Sequence, residues 1–549
     1  MKRLTLFYIF FACFLSLLEA QPKQELRAVW LTTLEGLDWP SVKGTSSSIE
    51  QKQKQELRRI LDQLKQANVN TVLYQARIRG TVTYPSRFEP WDGCVSGTFG
   101  KAPNYDPLQF AIEEAHKRGM ELHAWVVTVP TGKWNSYGAK QLRQKYSQLM
   151  RRVGEDACMN PEDSRTADYI ASICEEITRR YDVDGIHLDY IRYPETWNLR
   201  GSRQEARNNI TRIVRTIHQK VKNLKPWVKL SCSPLGKFDD LTRYQSGGWN
   251  AYNKVCQDAQ GWLREGLMDQ LYPMMYYDGR HFYPFAADWS ENRYGREIAA
   301  GLGIYRLIRS EGNWSIDAIE RQMHVARQLG LGHCYFRSRF LTDNTKGLYD
   351  FVCDFDAYPA VVPPIKFTST TVPMAPSMQV TRTSQGDNIS WSGARDNSDG
   401  DYLTYNVYAS TSLPVDITKG SNLIATRQMQ QNISVRRSTN DATLYYAVTA
   451  VNRYGQESAP SSSSFNRQVS NLNTQTSLLP NDGYALKIPQ FESLIQADYM
   501  AVFSMQGILI TRKPFGPVVS IAGLSKGVYE LRTYNANGTS HHVGHFVIK

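Results

Sequence analysis

His187 and Asp189 stand two residues apart in the run Val183-Asp184-Gly185-Ile186-His187-Leu188-Asp189-Tyr190-Ile191-Arg192-Tyr193-Pro194. They alternate with Ile186 and Leu188. Period-two spacing predicts a strand that turns both polar groups to one side and both aliphatics to the other. A carboxylate at the end of such a strand can accept a proton, deliver one or attack an electrophilic carbon. Acid–base chemistry on a stable bond pairs a group that takes a proton with one that gives it. Asp278, between Tyr277 and Gly279, is the first choice for that second acid, Glu35 the second and Asp269 the third. Asp184 begins the same strand as Asp189 and is read as belonging to the opposite end.

Eight strand-like segments must position these groups: Arg27–Thr33, Thr71–Ala76, Glu121–Val127, the Asp189 run, Val228–Ser233, Met268–Met275, Ala299–Ile304 and His333–Phe336. Helical patterns fall between them. They include Ser48–Gln66, a helix opened by Asp106-Pro107 and stopped by Gly119, one opened by Asn160-Pro161, Arg203–Leu224 and Asp317–Leu329. Such alternation predicts parallel strands. Eight units predict a (β/α)8 TIM barrel, an α/β fold whose chemistry sits at the C-terminal strand ends. The pattern does not dictate that strand one closes on strand eight. Two loops, 77–105 and 131–159, are long enough to expect function or extra structure in them.

At 549 residues the chain exceeds one hydrophobic core, so further domains are expected. Residues 1–20 read as an export signal: Lys2 and Arg3 precede an apolar run from Leu4 to Leu18, with Ala20 at the cleavage end. Cys13 is a poorer candidate for lipidation. The expected location is periplasmic, outer-membrane-associated or secreted, and no later stretch resembles a membrane span. Seven further cysteines run from Cys94 to Cys353, an odd number without CxxC pairs. That excludes a disulfide scaffold and gives no structural zinc pattern. Net charge is +12, but the basic residues are dispersed. No helix carries a dense basic stripe of the kind that binds nucleic acid; the charge fits a cell surface or an acidic glycan, or a solvated surface with no partner implied.

Several runs together resemble glycosyl-hydrolase-like family ten, a group of bacterial exported proteins. They are Arg27-Ala28-Val29-Trp30-Leu31-Thr32-Thr33 with Asp38-Trp39-Pro40; Tyr84-Pro85-Ser86 through Pro90-Trp91; Asp106-Pro107-Leu108; Glu113 through Trp125; and Gly185 through Pro194. The resemblance runs from Leu26 to about Phe340. It implies a TIM barrel acting on glycans, with cell-wall peptidoglycan favoured; the hydrolysis expected of it needs no redox cofactor. Two departures stand out. Thr81 occupies the approximate place of an Asp often found after strand two. Strand six reads Pro273-Met274-Met275-Tyr276 where the family usually offers a Pro-Gln pair before its Tyr, so a polar group is missing.

Glycoside hydrolysis calls for two carboxyl groups flanking the glycosidic bond. Asp189 is then the nucleophile or base, unless it merely pairs with Arg192. Asp278 or Glu35 is the acid. Arg77, leaving strand two, can hold sugar hydroxyls or a lactyl carboxylate, or be buried in an ion pair. His123 and His187 can donate to a glycan or orient Asp189; with Asp189 they also make a metal set conceivable. Trp125, Tyr190, Tyr193, Trp30 and Tyr276 at strand ends, and Trp91 and Trp134 in the long loops, can stack on pyranose faces or fill the core.

The domain reading is a signal at 1–20, the barrel at 26–362, a β-sandwich at 366–465 and a second at 470–549. Trp391, Tyr405-Asn406-Val407-Tyr408 and Tyr446 through Asn452 resemble a fibronectin type III module. Lys526 through Leu531 resembles tails on exported Bacteroidetes proteins. The expected activity is hydrolysis of a β-linked amino-sugar polymer. The rivals are a non-catalytic glycan-binding protein and a metal-dependent carbohydrate hydrolase or esterase.

Overall fold

A computed structural model describes residues 21–548, except 245–246, 384–385, 399, 401, 437–442, 462, 465–477, 490, 492–496, 505–508 and 536–539. The export signal and Cys13 lie outside the described residues. Among the described residues no helix is long and apolar enough to cross a membrane.

Eight parallel strands close into a barrel in sequence order: β1 Arg27–Leu31, β2 Thr71–Arg77, β3 Glu121–Val127, β4 Gly185–Asp189, β5 Lys229–Cys232, β6 Gln270–Leu271, β7 Glu297–Leu302 and β8 Gly332–Tyr335. Closure is direct, with Arg27 opposite His333, Ala28 opposite Cys334 and Val29 opposite Tyr335. β6 is much shorter than the expected Met268–Met275. Pro273 has no N–H to give the ladder, so pairing stops before it and resumes only as bridges from Met274 to Leu235 and Gly301.

Two apolar systems hold the barrel. Trp30, Leu73, Trp125, Tyr272 and Cys334 fill its interior. The outward-facing residues of the same strands pack on the helices, as Leu57, Leu61 and Leu64 of Ser47–Gln66 do. Local chemistry starts those helices. Ser46 accepts from Ile49 N, and Asp106 caps a helix with Pro107 in its first turn. Ser202 and Glu205 form a capping box at Arg203–Leu224. The 131–159 loop contains the helix Tyr137–Tyr146. It also forms a three-stranded sheet, with Pro130–Lys133, Asp156–Met159 and Met150–Val153, that sequence reading missed.

Past the linker, one sheet pairs Ser377–Thr383, Gly386–Ser392 and Asn432–Arg436, and another pairs Thr404–Ser410 with Leu423–Gln428 and Tyr445–Val451. Met378, Ile389, Trp391, Tyr405 and Val448 form the core between them. Farther on, a four-stranded antiparallel sheet (Tyr499–Ser504, Leu509–Pro514, Gly527–Tyr534 and Ser540–Ile548) has its own core around Met500, Val502, Leu531 and Phe546.

The middle unit is docked on the barrel's N-terminal end. Arg427 pairs with Asp184 and, at 3.2 Å, with Glu121; Arg453 pairs with Asp182 at 2.7 Å. Lys23, just ahead of β1, pairs with Glu457 at 2.6 Å. Gly119 lies so close to Thr426 that an added Cβ would meet its carbonyl oxygen at 2.2 Å. The opposite end, where Asp189 sits, is left to the long loops.

All seven described cysteines are free thiols, six of them buried and Cys353 half-buried.

Candidate active site

Asp189 is the last residue of β4, in register with Val127 of β3. Its Oδ1 accepts from Ser233 Oγ at 2.7 Å and from Tyr190 N at 2.8 Å. Its Oδ2 accepts from Trp125 Nε1 at 3.1 Å. The residue is 6% exposed. Burial raises its pKa above the ordinary aspartate value, against the pull of these donors and the nearby Arg192 charge. The result is a fixed carboxyl group, surrounded by polar and aromatic neighbours, with a pKa moved toward the range useful for proton transfer.

Tyr190 follows with φ 50, a left-handed conformation uncommon for a tyrosine, and its side chain is 40% exposed. Arg192 lies 4.6 Å from the Tyr190 ring centroid. It pairs with Glu195 rather than with Asp189, so the alternative of an Asp189–Arg192 salt bridge is set aside. Tyr276, beyond β6, stacks on Phe336 at 5.2 Å. Its buried hydroxyl has no hydrogen-bond partner among the described residues.

The two candidate acids lie on loops at this end. Asp278 is exposed and caps a short turn through Gly279 N at 2.6 Å. Glu35 is exposed and held at φ 56. Asp269 is not at the mouth. It immediately precedes β6 at the barrel's other end, pairs with Lys222 at 2.6 Å and accepts from Leu230 N. Asp184 is likewise a residue of that end.

Several expected sugar contacts are sealed inside the protein. Arg77 is fully buried and makes a two-pronged ion pair with Glu89, at 2.8 and 2.6 Å, besides donating to Thr128 O. The acid comes from the loop after β2, not from a neighbouring strand. His123 is buried low in the barrel, its Nε2 3.1 Å from Glu121. Gly185 beside it has no room for a side chain, since a Cβ would lie 2.6 Å from the His123 ring.

His187 is one layer below Asp189. Trp30 Nε1 can only donate, so His187 Nε2 accepts, at 3.2 Å, and Nδ1 carries the proton toward Ser231 Oγ at 3.0 Å. Burial lowers the His187 pKa well below the ordinary value, which keeps the ring neutral. Among the described residues, His123, His187 and Asp189 are not brought together as a set of metal ligands. Tyr193 is buried against Trp197, and Trp30 is interior core. Trp125 serves through its N–H rather than as an exposed platform. Trp134 is half-buried, with the Arg143 guanidinium 4.1 Å from its ring centroid. Trp91 is half-buried too.

Thr81, at the approximate place where the family often has an Asp, donates to Asp92 at 2.6 Å, both groups buried. That departure ends in a structural pair.

Sequence reading missed three features of this end. Ser233 was visible only as the end of a strand, yet that position next to β4 is what aims it at Asp189. Phe99 and Tyr137, 53% and 36% exposed, stack at 5.6 Å and join the loops after β2 and β3. Lys237, four residues past Ser233, is buried beside Phe285 and Tyr277, its Nζ 4.9 and 5.6 Å from their ring centroids. Burial lowers its pKa.

The family model described as Glycosyl hydrolase-like 10 matches residues 25–306. The chain is 30% identical to Glycosyl hydrolase YngK of Bacillus subtilis (strain 168), over 67% of this chain and 79% of that protein. It is 32% identical to Glycosyl hydrolase DigH of Escherichia coli (strain K12), over 47% of this chain and 66% of that protein. Among solved structures, the glycoside hydrolase domain of PgaB (BpsB) from Bordetella bronchiseptica aligns with a TM-score of 0.40 at 14% identity, covering 60% of this chain and 98% of that one. An alpha-L-fucosidase from Paenibacillus thiaminolyticus aligns with a TM-score of 0.42 at 14% identity, covering 66% of this chain and 52% of that one.

Proposed function

The chain belongs to the Glycosyl hydrolase-like 10 family, and from that premise we propose that its barrel hydrolyses a β-linked amino-sugar polymer, with peptidoglycan glycan strands as the favoured substrate. The observation that carries the proposal is the Asp189 carboxyl, buried at the C-terminal end of β4 and held by Trp125, Ser233 and the Tyr190 N–H.

Hydrolysis of a glycosidic bond needs one carboxyl group to protonate the leaving oxygen and another to attack or to activate water. The raised pKa of Asp189 suits the base that takes a proton from water. Asp278 is the proposed acid and Glu35 the alternative, each on a loop that follows a barrel strand at the same end. Tyr190 and the Phe99–Tyr137 stack offer exposed rings for pyranose faces. The signal-like residues 1–20 support export, where a wall glycan is within reach. The two β units then hold the barrel near polymer or cell surface.

The test is direct. Purified protein is incubated with peptidoglycan strands, with and without stem peptides, beside chitin and plant glycans, and products are identified by mass. New reducing ends from the wild type and none from D189N support the proposal; D278N and E35Q separate the two acids. Product from D189N at the wild-type rate would remove Asp189 from the chemistry. A second reading, a non-catalytic glycan-binding protein, draws on the low exposure of Asp189. Binding of a glycan without release of any reducing end favours it.

A further inference from the structure

Two paired strands of the C-terminal unit, outside the barrel, bring three metal-ligating side chains together. Gly527–Tyr534 and Ser540–Ile548 pair antiparallel, with Glu530 opposite His545 and Leu531 opposite Gly544. The register then slips by one, so that Arg532 faces His542 and Val543 is the extra residue. In a regular strand, residues 542 and 545 would point to opposite faces. The bulge cancels that alternation. Tyr529, Leu531 and Thr533 are buried, so the intervening Glu530 and Arg532 face outward, and both histidines share that outer face.

The consequence is a compact donor set. One ligand atom each from Glu530, His542 and His545 lies within 4.8 Å of the others. His542 Nε2 is 3.6 Å from Glu530 Oε1, and the two imidazole centroids are 4.8 Å apart. Ligand atoms around a tetrahedral zinc ion are separated by about 3.3 Å, so small side-chain rotations close the set. Arg532 holds Glu530 from one side, Nε to Oε1 at 2.8 Å and Nη2 to Oε2 at 2.9 Å. A carboxylate has about four lone-pair sites, and two remain for an ion. A hydrogen-bonded neighbour that orients a ligating carboxylate is the usual supporting arrangement.

We propose that Glu530, His542 and His545 form a binding site for a borderline transition-metal dication of the Zn2+ class, which joins the final strand to its neighbour. Two imidazoles and one carboxylate select such ions over Mg2+ or Ca2+, which favour all-oxygen shells. The fourth position stays open to water or to a group from another molecule. Among the described residues a second acid–histidine cluster, Glu25, His333 and Asp356, does not compete: it is buried and already neutralised by Arg27 and Arg327.

The full chain is titrated with Zn2+ by calorimetry in chelator-free buffer, beside H542A, H545A and E530Q, with Mg2+ as control. All three substitutions are on an outer sheet face, and circular dichroism checks that each variant folds. The expected result is one wild-type site, no heat with Mg2+, and affinity roughly tenfold or more weaker in each histidine variant. A wild type that takes up no Zn2+, or histidine variants that bind it as the wild type does, would overturn the proposal.

Discussion

The Trp125 indole N–H points at Asp189 Oδ2, 3.1 Å away, from the neighbouring strand of the barrel. An aromatic residue expected to stack on sugar instead fixes a carboxylate. Three donors and deep burial act on that group in opposite directions, and burial wins, since the pKa is raised.

Asp189→Asn removes the proton acceptor on which the proposed general-base role rests. Glycan hydrolysis is expected to fall by roughly 100- to 10,000-fold, read as reducing ends released per folded molecule. The amide also turns an N–H toward a neighbouring donor, so denaturant unfolding should show a loss of about 1–3 kcal/mol.

Trp125→Phe keeps an aromatic side chain, though a smaller one, and removes the N–H donor. That donor stabilises the ionised carboxylate, so its loss raises the Asp189 pKa further. The acid limb of the kcat/KM profile should move to higher pH, with activity above that limb largely kept. An unmoved limb would mean that Asp189 does not set it.

Arg77→Lys tests whether the buried guanidinium is structural. Lysine cannot reproduce the two-pronged contact with Glu89. Lysine keeps the charge but loses hydrogen bonds, so unfolding free energy should drop by about 1–3 kcal/mol, while KM for the glycan stays within about twofold in the folded fraction. A selective rise in KM would restore Arg77 as a sugar contact.

Arg427→Met leaves Glu121 and Asp184 without their partner from the middle unit. Breaking a buried pair in this way costs about 3–5 kcal/mol. Burial opposes ionisation of Glu121, but the charges of Lys229 and Arg427 and a His123 hydrogen bond prevail and bring its pKa from 4.5 down to about 2. A depressed folded-state pKa stabilises the fold above the unfolded value, and that contribution is lost as pH falls from 4.5 through about 2. The difference between wild type and R427M, measured by denaturation at several pH values, should therefore shrink across that window.

Strand–helix alternation and period-two patterning were enough to read the barrel, because each strand must send one set of side chains inward and the other onto helices. Strand six was overextended because Pro273 acts on hydrogen bonding, not on hydrophobic pattern.

The sequence alone determined the order of elements, the family resemblance and the position of Asp189 at a strand end, since these depend on local spacing. Only the tertiary structure decided which polar groups meet. Glu89 reaches Arg77 from a loop, Trp125 and Ser233 reach Asp189 from adjacent strands, and Arg427 reaches Asp184 from another unit. The physical reason is that a buried charge must find a partner wherever the fold supplies one, and that choice is made by three-dimensional packing rather than by distance along the chain.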